Sequence, residues 1–193
     1  MKNPRTTVIA SVLLVLVVAL TFVATATSAS SSSTLVRFRG GIGVQPVNSG
    51  VGTGPTATTV NRNIVRGVQP AGAPWVIADF QASVKSDGRI TAVGRGLLFA
   101  GGNTTGTAFT ITPTGGTATL NVFATLICEN LAPFIERNTA PVPLAGNGNF
   151  RIDDVLSPPP PASCATPVLL IRAEGGSGPW FAAGIQSLGS DEH

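Results

Sequence analysis

From Leu35 onward no window of the sequence holds a helical apolar period for three turns. Short runs of apolar and β-branched residues are cut instead by Gly, Pro and Asn. Glycine disfavours helix and proline breaks it, and 23 Gly with 15 Pro in 193 residues leave little room for a long one. Disorder is excluded by the opposite imbalance, since 43% of residues are hydrophobic and only 11% charged, whereas disordered chains pair low hydrophobicity with high net charge. Collagen is excluded because glycine does not recur every third residue. Short strands joined by turns remain.

The clearest strand pair spans Pro74 to Ala100. Val76, Ala78, Phe80, Ala82 and Val84 alternate with Ile77, Asp79, Gln81, Ser83 and Lys85, the period of a strand with one buried face. After Ser86-Asp87-Gly88 a second run puts Ile90, Ala92, Gly94, Gly96, Leu98 and Ala100 on one face, and Arg89, Thr91, Val93, Arg95, Leu97 and Phe99 on the other. Both inward sets are even-numbered, so the loop must have an odd length. A three-residue loop satisfies this and puts Gly88 where positive φ is required. The resulting register pairs Val84 with Ile90 and sets Phe80 opposite Gly94, whose missing side chain the ring would cover.

The same parity argument predicts a second hairpin from Thr107 to Asn130, with Phe109 and Ile111 facing the even set Ala118 to Cys128 across the four residues Pro113-Thr114-Gly115-Gly116. A turn is expected at Gly146-Asn147-Gly148, and Pro158 to Pro161 should run extended over the surface. The last hairpin pairs Val168–Arg172 with Trp180–Ile185. With Leu35–Arg39, Ile42–Val47 and Asn63–Val68 added, about nine or ten strands result, spaced as in sandwiches and barrels. The expected fold is one all-β domain over residues 35–187, an antiparallel β-sandwich or barrel, with residues 30–34 as a flexible lead-in and 188–193 as a frayed tail.

Residues 1–29 read as a secretory signal peptide. Lys2 and Arg5 precede an apolar run from Val8 to Ala24, which ends in small residues spaced for cleavage. Without that segment the 12 basic and 9 acidic side chains lose Lys2 and Arg5, and the formal charge falls from +3 to +1. A nucleic-acid partner needs clustered cations, so none is expected, and Arg37 with Arg39 read as a solvated strand face. Cys128 and Cys164 are an even pair in a chain read as secreted, periplasmic or extracellular, which predicts one structural disulfide.

Most catalytic chemistries lack their parts. The single histidine is His193, at the chain end, which removes Ser-His-Asp and Cys-His arrangements and the usual zinc sites. A Ser-Lys pair using Lys85 would sit beside an exposed turn with nothing to lower the amine's pKa. Gly50-Val51-Gly52-Thr53-Gly54 and Gly40-Gly41-Ile42-Gly43 lack the Lys-Thr ending and the helix of a phosphate cradle, and read as bends or bulges at sheet edges. Asp153 and Asp154 read as a strand-end pair bonding local backbone and arginine. No cofactor, metal or catalytic residue is assigned.

Trp75 and Trp180 each follow a proline and enter a predicted strand. Core packing is the main expectation for both, and ligand contact through an exposed ring the alternative. The stretch Arg66-Gly67-Val68-Gln69-Pro70-Ala71-Gly72-Ala73-Pro74-Trp75-Val76-Ile77-Ala78-Asp79, with Gly94-Arg95-Gly96-Leu97-Leu98-Phe99-Ala100-Gly101-Gly102-Asn103, resembles small exported bacterial proteins of unassigned function. The resemblance covers roughly a third of the chain and implies no catalytic or binding residue.

These readings converge on a secreted, non-catalytic β-domain acting through surface contacts as an envelope, matrix or ligand-binding module, with carbohydrate or envelope components as the expected partners. The alternative is an extracellular carbohydrate hydrolase using two carboxylates drawn from Asp79, Asp87, Glu129, Glu136, Asp153, Asp154 and Glu174. Near-zero net charge and open sheet edges further predict self-association through those edges.

Overall fold

Alternation builds the long strands. In β1 (Thr34–Gly43) Val36 and Phe38 are buried while Arg37 and Arg39 are exposed. β5 (Asp79–Lys85) and β6 (Arg89–Arg95) bury every second residue in the same way. The computed structural model describes residues 32–49, 60–111 and 117–188, and the expected leader lies outside them. The other strands are β2 (Val47–Ser49), β3 (Val60–Arg62), β4 (Trp75–Val76), β7 (Leu98–Phe99), β8 (Thr110–Ile111), β9 (Thr117–Ala118), β10 (Asn121–Ile127), β11 (Arg137–Asn138), β12 (Val142–Pro143), β13 (Phe150–Val155), β14 (Val168–Ala173) and β15 (Trp180–Gln186). The fold is all-β. Among the described residues no helix is long and apolar enough to cross a membrane.

Eight strands form one curled antiparallel sheet in the order β11-β10-β14-β15-β1-β5-β6-β13, and β12 also pairs with β10. The two ends of that order meet. Asn138 N–H donates to the Ser157 carbonyl (2.8 Å) and Ser157 N–H to the Asn138 carbonyl (2.9 Å). Ala140 N–H also donates to an Asp154 carboxylate oxygen at 2.7 Å across the same seam. The sheet therefore closes on itself as a barrel. The contact engages one backbone pair, Asn138 with Ser157, and β13 itself forms a ladder only with β6.

Inside lie Val36, Phe38, Phe80, Val84, Ile90, Ala92, Ile152, Leu126, Leu169 and Ile171, each at most 5% exposed. The β5–β6 hairpin has the expected register, Val84 with Ile90 and Phe80 with Gly94, and Gly88 carries φ +87° at the third loop position. The ring over Gly94 comes from the other neighbouring strand. A Cβ at Gly94 would lie 2.1 Å from Phe150 Cε1, while Phe80 instead crowds Gly184, where a Cβ would meet its Cε1 at 2.9 Å.

The β14–β15 hairpin and the turn before β13 also form as expected, the latter closed by Gly148 N–H to the Ala145 carbonyl at 2.7 Å. Other expectations need correction. The ladder between β8 and β9 is only two residues long and pairs Thr110 with Ala118, an even sum that excludes a four-residue loop. β10 finds its long partner in β14 instead. The loop itself, like Gly50–Gly54, lies outside the described residues.

Asn63–Val68 is not a strand. Val65 and Val68 exchange both backbone hydrogen bonds, and Arg66 (φ +47°) and Gly67 (φ +85°) make a two-residue turn between them. The Gly40-Gly41-Ile42-Gly43 bulge forms in the middle of the barrel wall, not at an edge. There β1 changes its main partner from β5 to β15, and Gly40 takes φ +82° at the corner.

Candidate functional site

β10 and β14 bury both of their faces. Val122, Ala124 and Leu126 form one face, and their neighbours Thr125 and Ile127 are also fully buried. Arg172 on β14 is only 5% exposed, so its guanidinium needs a counter-charge and hydrogen-bond partners to persist there. Its Nε donates to the Gly178 carbonyl (2.6 Å), Nη1 to Thr125 Oγ1 (3.3 Å) and to the Glu136 carboxylate, and Nη2 to the Ser177 carbonyl (3.3 Å). The Phe123 ring lies 5.2 Å beneath it.

Arg137, 4% exposed, grips Glu129 through both terminal nitrogens and donates to the Ile135 and Pro159 carbonyls. Those hydrogen bonds hold the Glu129 carboxyl down at about 2, with help from Ile135 N–H. The Cys128–Cys164 disulfide forms as expected and ties the end of β10 to the segment before β14. These two arginines and their acids are scaffold, with four of the five N–H donors of each guanidinium held by the fold.

Both tryptophans belong to the core. Trp75 is 2% exposed, stacked on Phe181 at 4.1 Å and against Phe99 at 4.0 Å. Trp180 is 3% exposed, and its Nε1 donates to the Asn63 carbonyl at 3.0 Å. Neither offers a ring face to a sugar or partner, so the ligand-contact alternative has no surface to act through.

The carboxylates are scattered. Asp153 pairs with Arg151 at 3.5 Å, Asp154 caps Ala140 N–H at the seam, and Glu174 accepts from Asn121 Nδ2 at 2.6 Å. Asp87 accepts from Arg89 N–H and its guanidinium, which hold its carboxyl below the ordinary carboxylate value. Asp79 and Asp153 share the outer face, but their register positions lie two strands and four residues apart, roughly 16 Å on ideal sheet spacings. Paired glycosidase carboxylates stand about 5–9.5 Å apart. Among the described residues no three of His, Cys, Asp and Glu gather closely enough to hold a metal ion.

What the topology does gather is arginine. With β1, β5, β6 and β13 side by side, their outward residues form one four-stranded face. Arg39, Gln81, Val93 and Arg151 lie in one cross-strand row, and Arg37, Ser83, Thr91 and Asp153 in the next. Asp79 stands opposite Arg95 beyond the first row. Of the ten basic side chains outside residues 1–29, six project from this face: Arg37, Arg39, Lys85, Arg89, Arg95 and Arg151. No family model, curated protein or solved structure matches the chain.

Between the arginines the side chains are shorter, and the surface dips. A depression of about 260 Å³ bounded by Arg37, Arg39, Gln81, Ser83, Thr91 and Val93 meets a second of about 300 Å³ bounded by Asp79, Gln81, Val93, Arg95 and Arg151. Each is at the bottom of the range of small-molecule pockets, which enclose most of their ligand. An open dip of this size suits contact with one side of an extended molecule.

Arg37 and Arg39 are legible in the sequence as a solvated strand face. Alternation also puts Arg95 on the outer side of its strand, but not Arg151 beside it, because the adjacency of β13 to β6 is a long-range pairing that no local pattern announces.

Proposed function

We propose that the chain is an exported, non-catalytic binding domain that acts through surface contacts, with the outer face of β1, β5, β6 and β13 as its contact surface. The observation that carries this reading is the concentration of six of ten basic side chains on one face of a domain whose formal charge, residues 1–29 aside, is only +1. Charge spread for solubility alone would be mixed over the whole surface. Arg62, Arg66, Arg137 and Arg172 bond carbonyls, a glutamine and carboxylates of the fold, while on the face Arg89 pairs with Asp87 and Arg151 with Asp153 at the exposed surface.

Export is supported by the charged start, apolar run and small-residue ending of residues 1–29, and by the disulfide, which persists in oxidising compartments. The barrel supplies a rigid backing, so the arginines need little ordering on contact.

The test is a printed array of neutral glycans, acidic glycans and anionic lipids, probed with the oxidised domain and with an R39Q/R151Q variant. Signal from the parent that the variant loses is expected. Signal that the variant retains in full, or turnover of any glycan on the array, would overturn the reading.

A further inference from the structure

Resting on that reading, we propose that the arginine face recognises an acidic polysaccharide, a hydroxyl-rich polymer carrying carboxylate or sulfate groups at intervals. The first argument is spacing. Arg39 and Arg151 end the same cross-strand row with two strands between them, so their backbones stand about 14 Å apart. No single small anion reaches both. Arg37 and Arg39 lie about 7 Å apart along β1, and Arg95 and Arg151 are diagonal neighbours across β6 and β13. The face therefore offers two separated cationic clusters; in the second, Arg151 touches Asp153 through one nitrogen at 3.5 Å across exposed surface, a weak pair that leaves its other donors for a carboxylate or sulfate.

The second argument is what lies between the clusters. Gln81, Ser83 and Thr91 present amide and hydroxyl groups that donate and accept, and Asp79 and Asp153 are acceptors only. Such groups pair with sugar hydroxyls. The third argument concerns ring stacking. The outward positions of β1, β5, β6 and β13 hold no aromatic residue among those described, whereas single-stranded nucleic acid is held largely on aromatic platforms.

The experiment is a solution titration of the oxidised domain with labelled polygalacturonate, dextran sulfate, neutral dextran, single-stranded DNA and phosphatidylglycerol vesicles, each at low and at physiological salt. Binding to polygalacturonate or dextran sulfate, absent with dextran and weakened by salt, is the expected result, and the two acidic arms separate carboxylate from sulfate. R39Q/R151Q should weaken that binding roughly tenfold. A second variant, S163E/A165E, lowers the net charge by the same amount at exposed positions beside the disulfide and should leave binding unchanged.

Equal loss in both variants would reduce the effect to net charge and overturn the proposal. DNA or vesicles bound more tightly than either acidic glycan, with the loss still specific to R39Q/R151Q, would overturn the polysaccharide while leaving the face as the contact surface. No binding in any arm would overturn the proposal outright. Binding to an acidic glycan that R39Q/R151Q does not weaken would sink both the proposal and the reading it rests on.

Discussion

Gly94 faces the barrel interior between Phe80 and Phe150, and replacing it with alanine tests how that interior is packed. The new Cβ would lie 2.1 Å from Phe150 Cε1 and 2.3 Å from Cζ. Carbon atoms rest about 3.5–4.0 Å apart, so the ring must retreat by about 1.5 Å. Phe150 is 5% exposed and has no open side to move into. Overpacking costs about 1–3 kcal/mol, and three ring atoms closer than 3 Å put this clash at the upper end; the stiffer alanine backbone returns about 0.5–1 kcal/mol, which leaves G94A destabilised by about 2 kcal/mol.

With a urea slope of about 2 kcal/mol/M for a domain of this size, the unfolding midpoint should fall by about 1 M at unchanged slope. F150L alone should cost about 1–2 kcal/mol. In the double variant the added methyl occupies space the ring has left, so G94A/F150L should cost less than the two single changes together, by about 1–2 kcal/mol. Additivity to within about 0.5 kcal/mol, or a neutral G94A, would refute the claim that Phe150 rather than Phe80 fills the gap over Gly94.

Breaking the Cys128–Cys164 bridge, by reductant or by C128A/C164A, should cost about 4 kcal/mol in the chain-entropy account for a sequence separation of 36, read as the difference in urea midpoint between oxidised and reduced protein. R172M should be destabilising by about 1–3 kcal/mol, because the Gly178 carbonyl loses its donor while Glu136, whose side chain is 40% exposed, is left to water; E136Q should cost at least as much, since it leaves a guanidinium only 7% exposed without its counter-charge. Thermal unfolding of the two variants side by side checks the order. Glu129 titrates at about 2 in the fold against an ordinary 4.5. Its contribution is therefore complete above about pH 4.5 and lost as pH falls from there toward about 2, so E129Q should flatten the acid limb of the stability curve over that window.

Local pattern carried the hairpins well. Odd and even numbering alone predicts the register of Val84 on Ile90 and the need for a permissive residue at Gly88, because the period of a strand is two and a one-residue slip would expose the whole apolar set. The same reasoning failed where pairing is long-range. Ala118 to Cys128 carries the right parity for a partner, but that partner is Val168–Ala173 rather than the nearer Phe109 and Ile111. Arg172 breaks the apolar run of β14, and only the loops carrying Glu136 and Gly178 explain how it is accommodated. The arginine face was half legible: Arg37, Arg39 and Arg95 follow from alternation, whereas their meeting with Arg151 depends on the order of strands around the barrel.

β1 has a consequence for how the protein comes to be. One end of it is zipped to β5 close by in sequence, and the other to β15, the final strand, with Phe38 set against Gln186. No fragment that stops short of β15 can finish the wall, because the partners of Gly41 to Gly43 are Gly184 to Ala182, far along the chain, and the entropy of closing so large a loop comes before its reward. Losing the last strand would leave β1 and β14 bare along their hydrogen-bonding edges, a sticky product ready for a protease or an aggregate.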